Sequence, residues 1–118
     1  MRGAYLASWD AYAHAMRTLD PTGLDCCHAD TTLATLYRTV DEHLRTRRKV
    51  RVAVTHDLHV AFLGPDRAIV TDHVVDDSVA FDADTGQDLE QPAHLAQLLQ
   101  FTLERREGVW KVVLTVGY

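Results

Sequence analysis

The most constraining feature of this sequence is a change in the spacing of its apolar residues near Val50. Up to about residue 47, apolar side chains recur every three or four positions, which places them on one face of an α-helix. From residue 50 onward they alternate with polar residues, as in β-strands with one buried face. Helices of this kind bury their apolar stripe by packing on the apolar face of a sheet. The pattern therefore predicts an α+β fold with N-terminal helices on an antiparallel sheet.

Three helical segments are predicted before the change in spacing. Residues 4–19 carry one apolar stripe that ends at Asp20. A short second piece over residues 20–29, with Pro21 at its first helical position, precedes a third helix over residues 30–47. The first stripe consists of Tyr5, Trp9, Tyr12, Met16 and Leu19, and the third of Leu33, Leu36, Val40 and Leu44, with Tyr37 beside it.

Two β-hairpins are predicted after the change in spacing. Residues 50–63 and 68–82 alternate on either side of a turn that begins at Gly64. A loop over residues 83–95 follows. A second hairpin is expected over residues 96–117, where Glu107 and Gly108 form the connection.

The register of each hairpin is predicted from the side chains that it brings to each face. Pairing Leu63 with Ala68 places nearly all the large apolar residues of the first hairpin on one face, and a slip of one residue would mix apolar and polar positions. In the second hairpin, pairing Arg106 with Val109 gives the same separation of faces.

The predicted apolar face has three polar exceptions, His56, His73 and Asp77. In this register His56 lies opposite Val75, which makes His73 and Asp77 its diagonal neighbours, about 5–8 Å away at Cβ. A carboxylate that holds the tautomer of an imidazole can make the ring a general base. His56, His73 and Asp77 are therefore the candidate catalytic residues. The alternative is that they satisfy one another in a core or lie in solvent.

Four aromatic side chains of the helices are candidates for ligand contacts, and the alternative is that they are core aromatics. They are Tyr5, Trp9, Tyr12 and Tyr37. His56 and His59 are three positions apart, but on a strand such residues point to opposite faces. We therefore predict no metal site, and no residue pattern calls for a cofactor.

The composition argues against several functions. The 118 residues suffice for one core, so residues 1–118 are treated as one domain. A net charge of -5 argues against nucleic-acid binding, and no apolar run reaches membrane-spanning length. Cys26 and Cys27 are neighbours that cannot cross-link the fold. They are either two small side chains at a helix or a vicinal disulfide.

The segment from Thr102 to Val113, in which a Gly and a Trp follow the turn, resembles the last hairpin of the NTF2-like superfamily. This resemblance implies the cystatin-like α+β cone, in which helices cover a curved antiparallel sheet. The superfamily contains isomerases, cyclases, dehydratases, hydrolases and many non-enzymes, and no complete catalytic set of these enzymes is matched here. Other segments resemble a bacterial subgroup of this superfamily: the stripe with Tyr5 and Trp9, Leu19-Asp20-Pro21, and Asp72 to Asp82 followed by Asp84-Thr85-Gly86. Members of this subgroup are largely uncharacterised and often lie outside the membrane on a tether.

These features together favour a non-catalytic ligand-binding or protein-interaction domain. The alternative is a small cone-pocket enzyme of the isomerase, dehydratase or cyclase type with a His/Asp general base. The expected partners are a small apolar ligand and a second copy of the chain, and the expected location is outside the membrane on a tether or else the cytoplasm. Apolar residues on the more polar face of the sheet suffice for a modest dimer: Ala53, Ala61, Val70, Val74, Leu98 and Val113.

Overall fold

The computed structural model describes residues 1–117 as two α-helices on a five-stranded antiparallel sheet, with a separate two-stranded sheet. The helices are α1 (Arg2–Thr18) and α2 (Asp30–Thr46), with a 3-10 turn at Leu24–Cys26 between them. The strands are β1 (Arg48–Arg51), β2 (Val54–Thr55), β3 (Leu58–Gly64), β4 (Arg67–Asp76), β5 (Val79–Asp82), β6 (Leu95–Arg106) and β7 (Val109–Gly117). This architecture confirms the predicted α+β class. Within residues 1–117, neither helix has the length and apolar character needed to cross a membrane.

Local chemistry sets the helix boundaries. Helix α1 ends at Thr18 because Leu19 adopts a left-handed conformation, with φ 58°. The predicted helix over residues 20–29 is wrong in extent. The Asp20 carboxylate accepts the backbone N–H of Thr22 and starts a turn instead, which leaves a single 3-10 turn of three residues. The first and third predicted helices are confirmed to within two residues at each end.

The sheet is antiparallel throughout. Strands β2 and β3 pair with successive parts of β4, and β6 and β7 continue the sheet beyond β4. Strand β1 pairs with β5 in the smaller sheet. The two long strands predicted over residues 50–63 and 68–82 are thus divided, the first into β1, β2 and β3 and the second into β4 and β5. The predicted loop over residues 83–95 is confirmed except at its last residue, where β6 begins.

The predicted register of the first hairpin is wrong by one residue beyond its turn. Gly64 pairs with Arg67, as that register requires, but a β-bulge lies between Phe62 and Gly64. The extra residue shifts the pairing, so Phe62 rather than Leu63 lies opposite Ala68. The shift reverses which residues of β4 face the helices.

The second hairpin contains a similar irregularity. Its predicted register is confirmed from the turn as far as the pair Leu103 and Val112. A register shift then follows, and Thr102 pairs with Leu114. Both errors have one cause, since the alternation of apolar and polar residues carries no signal for one inserted residue.

Two buried clusters form the core between the helices and the sheet. The first joins Tyr5 of α1 to strands β3, β4, β6 and β7, and the second joins α1 and α2 through Met16 and Val40. The helix stripes are therefore confirmed in their central parts. Tyr37, beside the predicted stripe of α2, and Leu44, at the C-terminal end of that stripe, are 42% and 40% exposed, so both face solvent.

Candidate functional site

The most deeply buried charged side chain is Asp72, in the middle of β4, with no exposed surface. Its Oδ2 atom accepts hydrogen bonds from the Tyr5 hydroxyl and from Nδ1 of His56, each at 2.7 Å. Its Oδ1 atom accepts the backbone N–H of Asp57 at 3.0 Å. A buried carboxylate is tolerated when donors surround it in this way. Asp72 therefore organises a polar cluster inside an otherwise apolar core.

His56 lies in the two-residue link between β2 and β3, and its side chain is 18% exposed. Because the Asp72 carboxylate can only accept, Nδ1 of His56 is the donor, and in the tautomer with its proton on Nδ1 the lone pair lies on Nε2. Within residues 1–117, Nε2 has no hydrogen-bond partner and is not sealed from solvent. The pair has the arrangement of an oriented general base.

Tyr5 and Trp9, on the same face of α1, complete the cluster. The Tyr5 hydroxyl accepts a hydrogen bond from Nε1 of Trp9 at 2.9 Å while it donates to Asp72. Burial, and secondarily the hydrogen bond to Asp72, raises the pKa of Tyr5 far above its ordinary value. Tyr5 therefore stays protonated and serves as a donor to the carboxylate. The Trp9 ring packs edge-on against His56, with centroids 5.1 Å apart.

Beside this cluster, a cavity of about 520 Å³ opens between the helices and the sheet. Its apolar wall is formed by Trp9, Leu36, Val50, Val54, Ala93, Leu95, Leu99, Phe101 and Val112. Its polar wall is formed by Ser8, Tyr12, His28, Thr31, Thr32, Thr35, Asp76, Ser78, Glu90 and Thr115. Cavities of this size and composition are typical of small-molecule sites. His56 and Asp72 do not line the cavity, and Trp9 lies against both the cavity and His56.

The three candidate catalytic residues are not brought together. His56 bonds to Asp72, whereas His73 lies on the outer side of β4, exposed, with its ring 6.5 Å from that of His59. Asp77 lies beyond the end of β4 and accepts a hydrogen bond from His94 at 3.1 Å. The predicted cluster of His56, His73 and Asp77 is wrong because the bulge shifts the pairing and turns His73 outward.

The four candidate ligand contacts divide into two groups. Trp9 and Tyr12 line the cavity, and their rings meet edge-to-face at 5.9 Å. Burial, with a smaller contribution from the charge of Asp76, raises the pKa of Tyr12. Tyr5 is buried in the core as a member of the Asp72 cluster, and Tyr37 is exposed; neither lines the cavity. The prediction thus finds two of the cavity's aromatic side chains.

Sequence reasoning missed Asp72, which the predicted register places on the polar face. The inward residues of β4 are Ala68, Val70, Asp72, Val74 and Asp76, and the outward ones are Arg67, Ile69, Thr71, His73 and Val75. Each set contains two ionisable residues among smaller or apolar ones. Alternation alone could therefore not decide between them.

His28 also lines the cavity, although it is not among the site residues predicted from the sequence. Its Nδ1 atom forms a hydrogen bond with the carbonyl oxygen of Leu24 at 2.8 Å, and burial lowers the pKa of the ring.

The adjacent Cys26 and Cys27 form a vicinal disulfide in the 3-10 turn and the residue after it. Neither residue is fully buried, contrary to the alternative of small core side chains. Within residues 1–117, no three His, Cys, Asp or Glu side chains are grouped as metal ligands.

The fold can be compared with known proteins. No protein-family model and no curated protein matches the sequence. The chain has the NTF2-like, cystatin-like α+β fold, as an NTF2-like protein from Cytophaga hutchinsonii shows at 16% identity and a TM-score of 0.63, with 99% of this chain and 96% of that chain covered.

Two further solved structures show how varied the proteins with this fold are. The intermembrane space region of the chloroplast protein ARC6 matches at 11% identity and a TM-score of 0.75, over 95% of this chain and 89% of that chain. A hexachlorocyclohexane dehydrochlorinase, LinA type 2, matches at 15% identity and a TM-score of 0.68, over 99% of this chain and 83% of that chain. At these identities the likeness concerns the fold alone.

Proposed function

We propose that this protein is a non-catalytic binding domain that holds a small, largely apolar ligand in the cavity between α1, α2 and the sheet. The observation that carries the proposal is the cavity of about 520 Å³, whose lining includes apolar side chains such as Trp9, Leu99 and Phe101. The cavity lining lacks the His56–Asp72 pair, which is the best general-base arrangement in residues 1–117. The Asp72 oxygens are already engaged by three donors of the protein, which fits a structural role.

Filling the cavity tests this proposal. N-phenyl-1-naphthylamine, an uncharged fluorophore, serves as the probe, and its fluorescence rises on transfer from water to an apolar site. Leu99 lines the cavity, whereas its neighbour Leu98 points to the opposite face of β6. We expect Leu99→Trp to weaken binding at least tenfold and Leu98→Trp to leave it unchanged. Absence of saturable binding to the parent protein, or equal binding by both variants, would refute the proposal.

A second candidate function is base-catalysed elimination, favoured by the free Nε2 atom of His56 beside Asp72. One protein with this fold is named a hexachlorocyclohexane dehydrochlorinase, and removal of HCl requires a base. Chloride release from hexachlorocyclohexane is the direct test. If the reaction occurs, we expect His56→Gln to abolish it and His59→Gln, a nearby exposed histidine, to preserve it. Absence of chloride release by the parent protein would remove this candidate.

We also propose that two copies of the chain associate through the solvent side of the sheet, here called the outer face. Strand alternation assigns it Ala61 from β3, Ile69, Thr71, His73 and Val75 from β4, Ala96, Leu98, Gln100 and Thr102 from β6, and Leu114 and Val116 from β7. Its central part contains no Asp, Glu, Lys or Arg. Three residues predicted for this surface, Val70, Val74 and Val113, are instead buried. A second copy fits because a self-complementary sheet face needs no opposite charge.

A further inference from the structure

The charged side chains that line the cavity all carry the same sign. Asp76, at the end of β4, and Glu90, in the loop before β6, are its two carboxylates. No Lys or Arg of residues 1–117 lines the cavity. His28 is the remaining titratable base in the lining, and burial lowers the pKa of its ring. The cavity is therefore electrostatically negative at neutral pH.

These two carboxylates differ from others nearby because no cation neutralises them. Asp84 pairs with Arg47, and Asp88, two residues before Glu90, pairs with Arg51. Within residues 1–117, neither Asp76 nor Glu90 makes an ion pair. The cavity thus contains two carboxylates that no Lys or Arg of residues 1–117 pairs with.

Each of the two carboxylates is also oriented by the backbone. Oδ1 of Asp76 accepts the N–H of Ser78 at 2.8 Å, and Oε1 of Glu90 accepts the N–H of Ala80 at 3.0 Å. These bonds restrain the side chains through one oxygen and leave the second oxygen without a protein partner in residues 1–117. Restrained acceptors bind a donor with less loss of side-chain entropy than free ones do.

The aromatic rings of the cavity provide a second attraction for positive charge. Trp9 and Tyr12 both line it, with ring centroids 5.9 Å apart in an edge-to-face contact, and each aromatic ring carries an electronegative π-face. A cation within about 6 Å of such a face is attracted by the ring quadrupole. The lining also includes apolar side chains, among them Leu95 and Leu99 of β6.

We propose that the cavity selects a cationic amphiphile, with its ammonium or related head group near Asp76 or Glu90 and its apolar body along the Leu95 and Leu99 wall. This inference rests on the proposed function and adds the charge class of the ligand. An anionic amphiphile of the same shape is repelled by both carboxylates and finds no cation in the lining.

Three probes with one decyl chain test the proposal: decyltrimethylammonium, decanol and decanoate. Their dissociation constants are measured by displacement of N-phenyl-1-naphthylamine, below the concentrations at which they aggregate. We expect the cation to bind at least about tenfold more tightly than the anion at low salt, with the alcohol between them. Removing both charges in Asp76→Asn/Glu90→Gln should bring the cation and the anion to within about twofold of each other.

The control and the contradicting outcomes are specific. Asp10→Asn is the control. It removes one negative charge from an exposed residue of α1 that does not line the cavity, and it should preserve the preference for the cation. Circular dichroism melting of each variant establishes that it is folded. If decanol binds but the two ions bind equally, or the anion binds better, the charge inference is wrong while the proposed function stands. If no probe binds, the proposed function fails and the charge inference with it.

Discussion

At the residue scale, Asp72 shows how a carboxylate is accommodated in this core. It is fully buried and has no Lys or Arg partner, yet its oxygens receive three hydrogen bonds from Tyr5, His56 and the backbone of Asp57. These donors replace the water that the carboxylate would bind in the unfolded chain. The cluster also ties helix α1 to the sheet, because Tyr5 and Asp72 are 67 residues apart in the sequence.

Removal of the Asp72 carboxylate is expected to destabilise the protein strongly. Asp72→Ala leaves buried donors unpaired, and we expect the free energy of unfolding to fall by about 3 kcal/mol. Tyr5→Phe removes one donor and should cost about 1 kcal/mol. Urea denaturation measures both values, and Asp57→Ala, at an exposed aspartate, is the control. Equal stability of Asp72→Ala and the control would contradict a structural role for the cluster.

His28 should contribute to the loss of stability in weak acid. Burial lowers its pKa in the folded protein, whereas the unfolded chain has the ordinary value of about 6.5. Below about pH 6.5 the unfolded chain binds a proton that the folded protein does not, so the His28 contribution to stability declines as pH falls. It is fully present above that pH.

We therefore expect the free energy of unfolding to decline less steeply from pH 7.5 to 5.5 in His28→Gln than in the parent protein. Chemical denaturation at a series of pH values provides the measurement. The same substitution at exposed His73 controls for the loss of an imidazole. A His28→Gln slope equal to that of the parent would show that burial of this ring does not govern the pH dependence.

At the element scale, the apolar stripes predict the positions of the two α-helices well. They predict less well how deeply each side chain of a stripe is buried. Val40 of α2 is 2% exposed and packs in a cluster with Met16 of α1, whereas Leu44, one turn later, is 40% exposed. Both belong to the same predicted stripe. Periodicity identifies the face of a helix that meets the core, but the length of contact depends on where the neighbouring elements end.

Truncation of these two side chains should therefore have different effects. Val40→Ala leaves a cavity in the core and should lower the free energy of unfolding by about 2 kcal/mol. Leu44→Ala removes a larger side chain from a partly solvated position and should change it by less than about 0.5 kcal/mol. Thermal or urea unfolding followed by circular dichroism compares them directly. The reverse order would mean that α2 is anchored by its C-terminal end.

At the scale of the whole molecule, the helices cover one side of the sheet and leave the outer face uncovered. Apolar residues on that face include Leu114 and Val116, which are 44% and 38% exposed. Such an area of uncharged surface is suited to contact with a second sheet. The cavity lies on the opposite side of the sheet, so the proposed ligand site and the proposed dimer interface are separate surfaces.

Self-association through the outer face can be measured by sedimentation equilibrium. We expect a concentration-dependent dimer, and we expect Leu114→Lys/Val116→Lys to shift it to monomer because two charges would be buried in the interface. Leu89→Lys, at an exposed leucine outside the outer face, should leave the dimer intact. A parent protein that remains monomeric at high concentration, or a dimer insensitive to the double substitution, would exclude this interface.

The sequence alone predicts the order and type of the elements and the side of each helix that packs against the core. Tyr5, Trp9 and Met16 recur at helical spacing, and strand alternation begins near Val50, so these conclusions rest on local periodicity. It also located the histidine of the Asp72 cluster and two aromatic side chains of the cavity. It did not identify the carboxylate that bonds to His56.

Only the tertiary structure decided which face of β4 points inward. Each face of that strand carries two ionisable residues, Asp72 and Asp76 on one and Arg67 and His73 on the other, so the alternation within β4 does not tell which face is buried. The bulge near Leu63 shifts the register, and the inward carboxylate is stabilised by Tyr5 from a helix far away in the sequence. Hydrogen bonds between distant segments leave no periodic signal, which is why the candidate site required the folded molecule.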